Sequence, residues 1–267
     1  RTINEALERA ATGDDARYRH TYDMLGESAL TAADAERYMQ SYSAAIVAVG
    51  ASVRAGSVPA SWPSISVKLS ALHPRYEFGK REPLLSELGA RIEALALAAS
   101  AAGIALTIDA EEADRLELSL ELLDRLLRQP RLAGWEGLGL AVQAYSKRAM
   151  DVLRHLGLRA DETGRVLNVR LVKGAYWDSE VKRAQERGLP GYPVFTRKQN
   201  TDVAYLACAR ILLEGSRRLY PQFATHNAHT VASIIHLASA HRREFESQRL
   251  HGMGDELYSE VTDPAGR

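Results

Sequence analysis

The sequence predicts an α/β protein whose parallel strands close into a (βα)8 barrel. Three observations predict it. Short β-type runs alternate with amphipathic helices from about Ser64 onward, each strand carries small or polar residues on one parity, and the functional-looking groups fall at strand ends. With 267 residues and 46% hydrophobic content the chain can bury a large core, and barrels of this size often form a single domain.

Residues 1–60 read as a helical arm packing on the barrel. An opening segment runs to about Ala11, a second helix starts near Thr31, and a Gly/Ser/Pro-rich break follows from Gly56 to Pro63. The barrel domain then occupies residues 61–267. Its expected strand–helix pairs are Ser64–Ser70 with Pro83–Ala102, Ile104–Asp109 with Ala113–Arg128, and Leu138–Ala144 with Lys147–Leu156. Val166–Val172 follows, with helices at about Ser179–Arg187 and Asp202–Leu219, then Gln222–Thr225 with a helix from Ala228, and Phe245–Leu250. In Ala113–Arg128 the leucines at 116, 120, 123 and 127 fall at the spacing of a core-facing stripe. An eight-stranded barrel needs more strands than these, so the last strand and helix elements are expected beyond Arg267. The Arg1 start and the loop-like Asp263-Pro264-Ala265-Gly266 stretch both read as cut ends.

Strand parity favours closure over a doubly wound sheet. Ile65, Val67 and Leu69 alternate with Ser66, Lys68 and Ser70; Leu106 and Ile108 with Thr107 and Asp109; Leu140 and Val142 with Ala141 and Gln143. A barrel explains this pattern, with one parity on the outer helices and the other pointing inward. A doubly wound sheet more often shows near-continuous apolar strands. Lys68, Asp109, Gln143, Arg170, the Thr225-His226-Asn227 run and His251 all come late in their strands, where barrel enzymes place their chemistry.

The formal net charge is zero and no block of like charge runs along the chain, which argues against a nucleic-acid footprint and for a small-molecule partner. Cys208 is the only cysteine, which excludes an internal disulfide framework and fits a reducing compartment, the cytoplasm by default. No apolar run is long enough to span a membrane. Cys208 lies in a helical run and reads as a small core residue. His226 and His229 lack an acidic partner at a recognisable spacing, so no metal site is expected. Gly134, Gly137 and Gly139 precede a strand, which is not the placement of a dinucleotide fingerprint.

Lys68 and Asp109 on neighbouring strands would hold each other in place, and taken alone they read first as a structural ion pair. The run Arg170-Leu171-Val172-Lys173-Gly174-Ala175-Tyr176-Trp177 says more: two cations, a glycine permitting close approach and two aromatics at one strand end suit a planar, anionic ligand. Thr196-Arg197-Lys198 and Thr225-His226-Asn227 add donors for phosphate, the second just before a helix N-terminus. A lyase or aldolase using Lys68 or Lys173 as a Schiff-base amine fits the same residues, and so does a non-catalytic, truncated barrel.

Several blocks resemble the proline dehydrogenase domain of the bacterial proline utilization A family. They are Tyr22–Glu27, Ser66–Tyr76, Ile108–Glu112, Val142–Tyr145, Arg170–Trp177, Phe223–Thr230 and Leu250–Gly254, in order along nearly the whole chain. The resemblance implies a distorted (βα)8 TIM-type barrel that binds FAD, oxidises L-proline to pyrroline-5-carboxylate and passes electrons to quinone. It implies that Lys68 and Asp109 sit at the substrate site, that Arg170 approaches the reactive flavin nitrogen, and that Gln143 hydrogen-bonds the ring. Tyr176 and Leu250 would flank proline. Ala110, Val172, Lys173, Gly174, Ala175 and Trp177 would line the cofactor, with Arg197, Lys198, Thr225, His226 and Asn227 at its ribityl, pyrophosphate and adenine parts. The family also carries, past the point matching Arg267, a Tyr-Ala-Pro strand and paired arginines that clamp proline's carboxylate. Full-length relatives are expected to hold an aldehyde dehydrogenase domain and to associate peripherally with the inner membrane, and no DNA-binding segment is recognised in this chain.

Overall fold

The computed structural model describes residues 2–262 apart from residues 25, 27, 54 and 55. The expected Asp263–Gly266 loop, and Leu25 and Glu27 of the Tyr22–Glu27 block, lie outside the described residues. The chain divides into two compact units, Arg1–Ala141 with Arg159–Asn168, and Val142–Leu158 with Val169–Arg267.

In the first unit, α1 (Ile3–Ala10) and α2 (Ala32–Ala51) each open on a capping box, with Thr2 accepting from the Glu5 amide and Thr31 from the Asp34 amide. Between them lies a strand the sequence reading missed, β1 (Thr21–Asp23). Residues 1–60 are therefore not all helical. Three residues are too few for a periodicity signal, and pairing supplies what periodicity could not: Thr21, Tyr22 and Asp23 run parallel to Ser64, Ile65 and Ser66 of β2 (Ser64–Val67). β2 pairs in parallel with β3 (Ala105–Ile108), and β3 with β4 (Leu138–Gln143). Each strand lies beside its neighbour in sequence. A doubly wound sheet reverses its order at a switch point, whereas successive order is that of a barrel.

β2, β3 and β4 are shorter than expected at their C-terminal ends. β2 stops at Val67, and Leu69–Leu72 form a one-turn helix, α3. α4 (Arg81–Ala101) and α5 (Leu116–Leu127) pack next. The core face of α5 is Leu118, Leu122, Leu123, Leu126 and Leu127, so of the four leucines expected there only Leu123 and Leu127 are fully buried. Leucines on both sides of the helix left two stripes open, and tertiary packing selected between them. β2, β3 and β4 are buried along their whole length, on both parities, because each has covered faces on both sides. In β4, a Cβ at Gly139 would lie 2.9 Å from Thr107 Oγ1 and 3.1 Å from the Asn168 carbonyl, so that glycine serves packing.

The helix expected from Lys147 is α6 (Ala149–Thr163), longer than read. The second unit continues with β5 (Leu167–Val172), α7 (Trp177–Glu186), α8 (Lys198–Glu214), β6 (Leu219–Ala224), α9 (Ala228–His241), β7 (Glu246–Gln248) and α10 (Asp255–Thr262). α8 begins four residues before the expected Asp202 and ends at Glu214, where Gly215 stops it. Leu219, read as helical, starts β6 instead. β6 pairs in parallel with β7 through Gln222, Phe223 and Ala224 against Glu246, Ser247 and Gln248. Phe223 meets Phe245 edge-on at 5.5 Å between ring centroids. Cys208 is buried in α8, where burial pushes its thiol up to about 12.

Candidate active site

Three successive strands of the first unit end in charge. Asp23 is the last residue of β1, Lys68 follows β2, and Asp109 follows β3. Lys68 Nζ lies 3.1 Å from Asp109 Oδ2, and 3.1 and 3.0 Å from the two oxygens of Asp23. The expected Lys68–Asp109 pair forms, and the sequence reading missed its third member, because the strand that delivers Asp23 was itself unread. The Lys68 amide also donates to the buried Tyr42 hydroxyl at 3.2 Å. Burial pulls the Lys68 pKa down, but the charge of Asp109 and the hydrogen bond and charge of Asp23 outweigh it, leaving the ammonium more basic than usual. A Schiff-base lysine needs the opposite shift, and the three carboxylate oxygens around Lys68 Nζ favour the charged ammonium.

The loops carrying this triad are tied together. Buried Glu111 accepts from the Ser70 amide at 3.0 Å and pairs with Arg115 at 3.0 Å. Ser70 in turn accepts from the Ser28 and Ala29 amides through its hydroxyl and carbonyl. Ala110, between Asp109 and Glu111, is half-buried.

In the second unit, Gln143 closes β4 and is buried, with its side-chain oxygen accepting from the Ala175 amide at 3.0 Å. Alongside, the Ala144 amide donates to the Val172 carbonyl and the Tyr145 amide to the Lys173 carbonyl, both at 2.8 Å. Gly174 has φ +147°, and a Cβ there would sit 2.4 Å from the Tyr145 ring. Here the close approach is by an internal aromatic. Arg170, on the half-buried parity of β5, donates to Gln248 Oε1 at 2.8 Å, and Gln248 donates to Glu246 at 2.6 Å. Gln248 carried no sequence signal as a partner, because only the tertiary packing of strand ends brings it to Arg170.

Lys173 and Lys198 converge on one carboxylate, at 2.5 Å from Asp202 Oδ1 and 2.6 Å from Asp202 Oδ2. Those hydrogen bonds hold the Asp202 carboxyl below the usual carboxylate range. Two ammonium groups sharing one carboxylate are close enough to share a diphosphate. Arg197 is exposed and immediately precedes α8. Tyr176 is half-buried before α7, and Trp177 is 42% exposed with its indole N–H on the Phe195 carbonyl at 2.9 Å. Thr225 is buried, and its hydroxyl accepts from the Asn227 amide. The Asn227 side-chain oxygen caps α9 by accepting from the Thr230 amide at 2.9 Å, so that helix end already has a polar cap. His226 Nε2 accepts from the Leu250 amide at 3.0 Å, and Leu250 itself is 64% exposed.

A family profile described as proline dehydrogenase matches residues 6–267. The chain belongs to the proline dehydrogenase family. Within that family it is similar to the bifunctional protein PutA of Salmonella typhimurium, at 53% identity over 98% of this chain and 20% of that protein. The Escherichia coli PutA gives 52% identity over the same shares. A crystal structure of a mutant of Bradyrhizobium japonicum proline utilization A (PutA) matches with a TM-score of 0.90 and 51% identity, over 99% of this chain and 27% of that one. The chain thus spans about a fifth of the length of these PutA relatives. Its alternation of parallel strands and helices is the α/β arrangement that the family membership implies. Among the described residues no helix is long and apolar enough to cross a membrane.

Proposed function

We propose that this chain oxidises L-proline to pyrroline-5-carboxylate with FAD and hands the electrons to quinone. The observation that carries this reading is Lys68, a cation held at a strand end by carboxylates, inside the span matched by the proline dehydrogenase family. Its ammonium would take the carboxylate of proline, and Asp109 would fix its direction. Tyr176 and Leu250 would flank the ring.

The donor set of the second unit fits a flavin dinucleotide. Lys173 and Lys198 offer a paired cation for the pyrophosphate, with Arg197 beside them, while Thr225, His226 and Asn227 add donors and acceptors. Val172, Gly174, Ala175 and Trp177 would form the wall, and Gln143 would face the ring while fixing the Ala175 backbone. FAD, when bound, supplies the hydride acceptor. Arg170, steadied by Gln248, and Lys173 would place positive charge where negative charge develops, which lowers the barrier without reorganisation. In full-length relatives an aldehyde dehydrogenase domain would take the product onward, and peripheral contact with the inner membrane from the cytoplasm would bring the quinone.

An anaerobic absorbance spectrum of the flavin-loaded protein before and after L-proline tests the reading. Bleaching supports it. Retention of an unbleached flavin keeps the cofactor and rejects proline as the reductant.

A further inference from the structure

The Lys68 ammonium has three hydrogens and, among the described residues, three carboxylate oxygens around it: Asp109 Oδ2 at 3.1 Å and both Asp23 oxygens at 3.1 and 3.0 Å. A carboxylate ligand arriving at Lys68 therefore meets an ammonium that is already fully engaged, and one resident oxygen or pair of oxygens must yield. The two residents are not equivalent. The Asp109 side chain is 16% exposed, as is that of Lys68, whereas the Asp23 side chain is 44% exposed. Parting Lys68 from Asp109 would separate two largely buried charges, which is expensive. Releasing Asp23 returns a carboxylate to water it already touches, which costs little. Asp23 also sits with both oxygens almost equidistant from Nζ, the placement an incoming carboxylate would take.

We propose that Asp23 is a displaceable counter-ion that occupies the carboxylate position on Lys68 and gives way to the carboxylate of the substrate. Asp109 stays and keeps the ammonium aimed. Asp23 is then an internal competitor that lowers apparent affinity, and it shields Lys68 when the site is empty. This rests on the reading of Lys68 as part of the proline site.

The test uses the intact, flavin-loaded protein and reads the L-proline concentration that half-bleaches the flavin under anaerobic conditions. Asp23→Asn, Lys68→Met and the double variant are compared with the parent. The expected result is that Asp23→Asn lowers that concentration about two- to fivefold, the range of a partly exposed ion pair, and that this gain vanishes when Lys68 is already Met. If Asp23→Asn raises the concentration or leaves it unchanged, Asp23 positions Lys68 or is idle, and the proposal is overturned. A gain that survives in the Lys68→Met background would be a general field effect, which also overturns it. No change on Lys68→Met alone would instead reject Lys68 as a proline ligand, a failure separable from the others because it appears before Asp23 is touched.

Discussion

At the scale of single residues, the proposed function divides the work between Lys68 and Arg170. Lys68 is held by the carboxylates of Asp23 and Asp109, whereas Arg170 donates to Gln248, so their losses should differ in kind. Lys68→Ala is expected to raise the half-saturating proline concentration at least tenfold with flavin content unchanged. Arg170→Ala is expected to slow flavin reduction by about a hundredfold, as for loss of one donor at a site of developing charge. Stopped-flow reduction with flavin quantitation checks both, and equal flavin loss from the two variants contradicts the division. Cys208, buried and with its thiol pushed up to about 12, should resist thiol reagents in the native state and react only on unfolding. Its burial was legible from one fact, a lone cysteine within an apolar helical run. The role of Asp23 was not, since an aspartate in a three-residue strand looks like any loop aspartate until its neighbour strand is placed.

At the scale of elements, the segment after β5 owes its path to a collision that only glycine avoids. Gly174→Ala would put a methyl on the Tyr145 ring at a φ of +147°, and should cost about 1–3 kcal/mol, measured as a lower denaturation midpoint together with weaker flavin retention. α5 and α6 are joined by Asp124, which accepts from Arg159 Nε at 2.8 Å and pairs with Arg128 at 2.9 Å. Burial raises its pKa, but the hydrogen bonds from Arg159 and Arg128 outweigh that and hold the carboxyl below its ordinary range. A depressed carboxylate contributes stability that is present above the unfolded pKa and disappears as pH falls through the folded value. Asp124→Asn should therefore lower stability at neutral pH by up to about 1 kcal/mol, discounted because the side chain is a third exposed. The deficit should shrink below the ordinary aspartate range, and melting curves of both proteins at neutral and acid pH would reveal it.

At the scale of the whole molecule, the paired cations Lys173 and Lys198 make a thermal prediction. A ligand that binds only the folded state raises Tm with its concentration. FAD should raise Tm of the flavin-stripped protein well above the shift from riboflavin, which lacks the phosphates. Lys198→Ala should reduce the difference, and equal shifts from both ligands would show that the pair takes no phosphate. The zero net charge of the chain adds a corollary: such binding should weaken with salt through these local contacts and not through a long-range field.

What the sequence determined by itself was the alternation of strands and helices, the parallel class of the sheet and the strand-end placement of Lys68, Asp109 and Gln143. These follow from local periodicity and from a side-chain pattern that repeats every two or 3.6 residues. The tertiary structure alone decided which leucine stripe of α5 is buried, that Thr21–Asp23 is a strand, and that Gln248 and Asp202 are the partners of Arg170 and Lys173. Each of these depends on residues far apart in the chain meeting, and no local pattern encodes such a meeting.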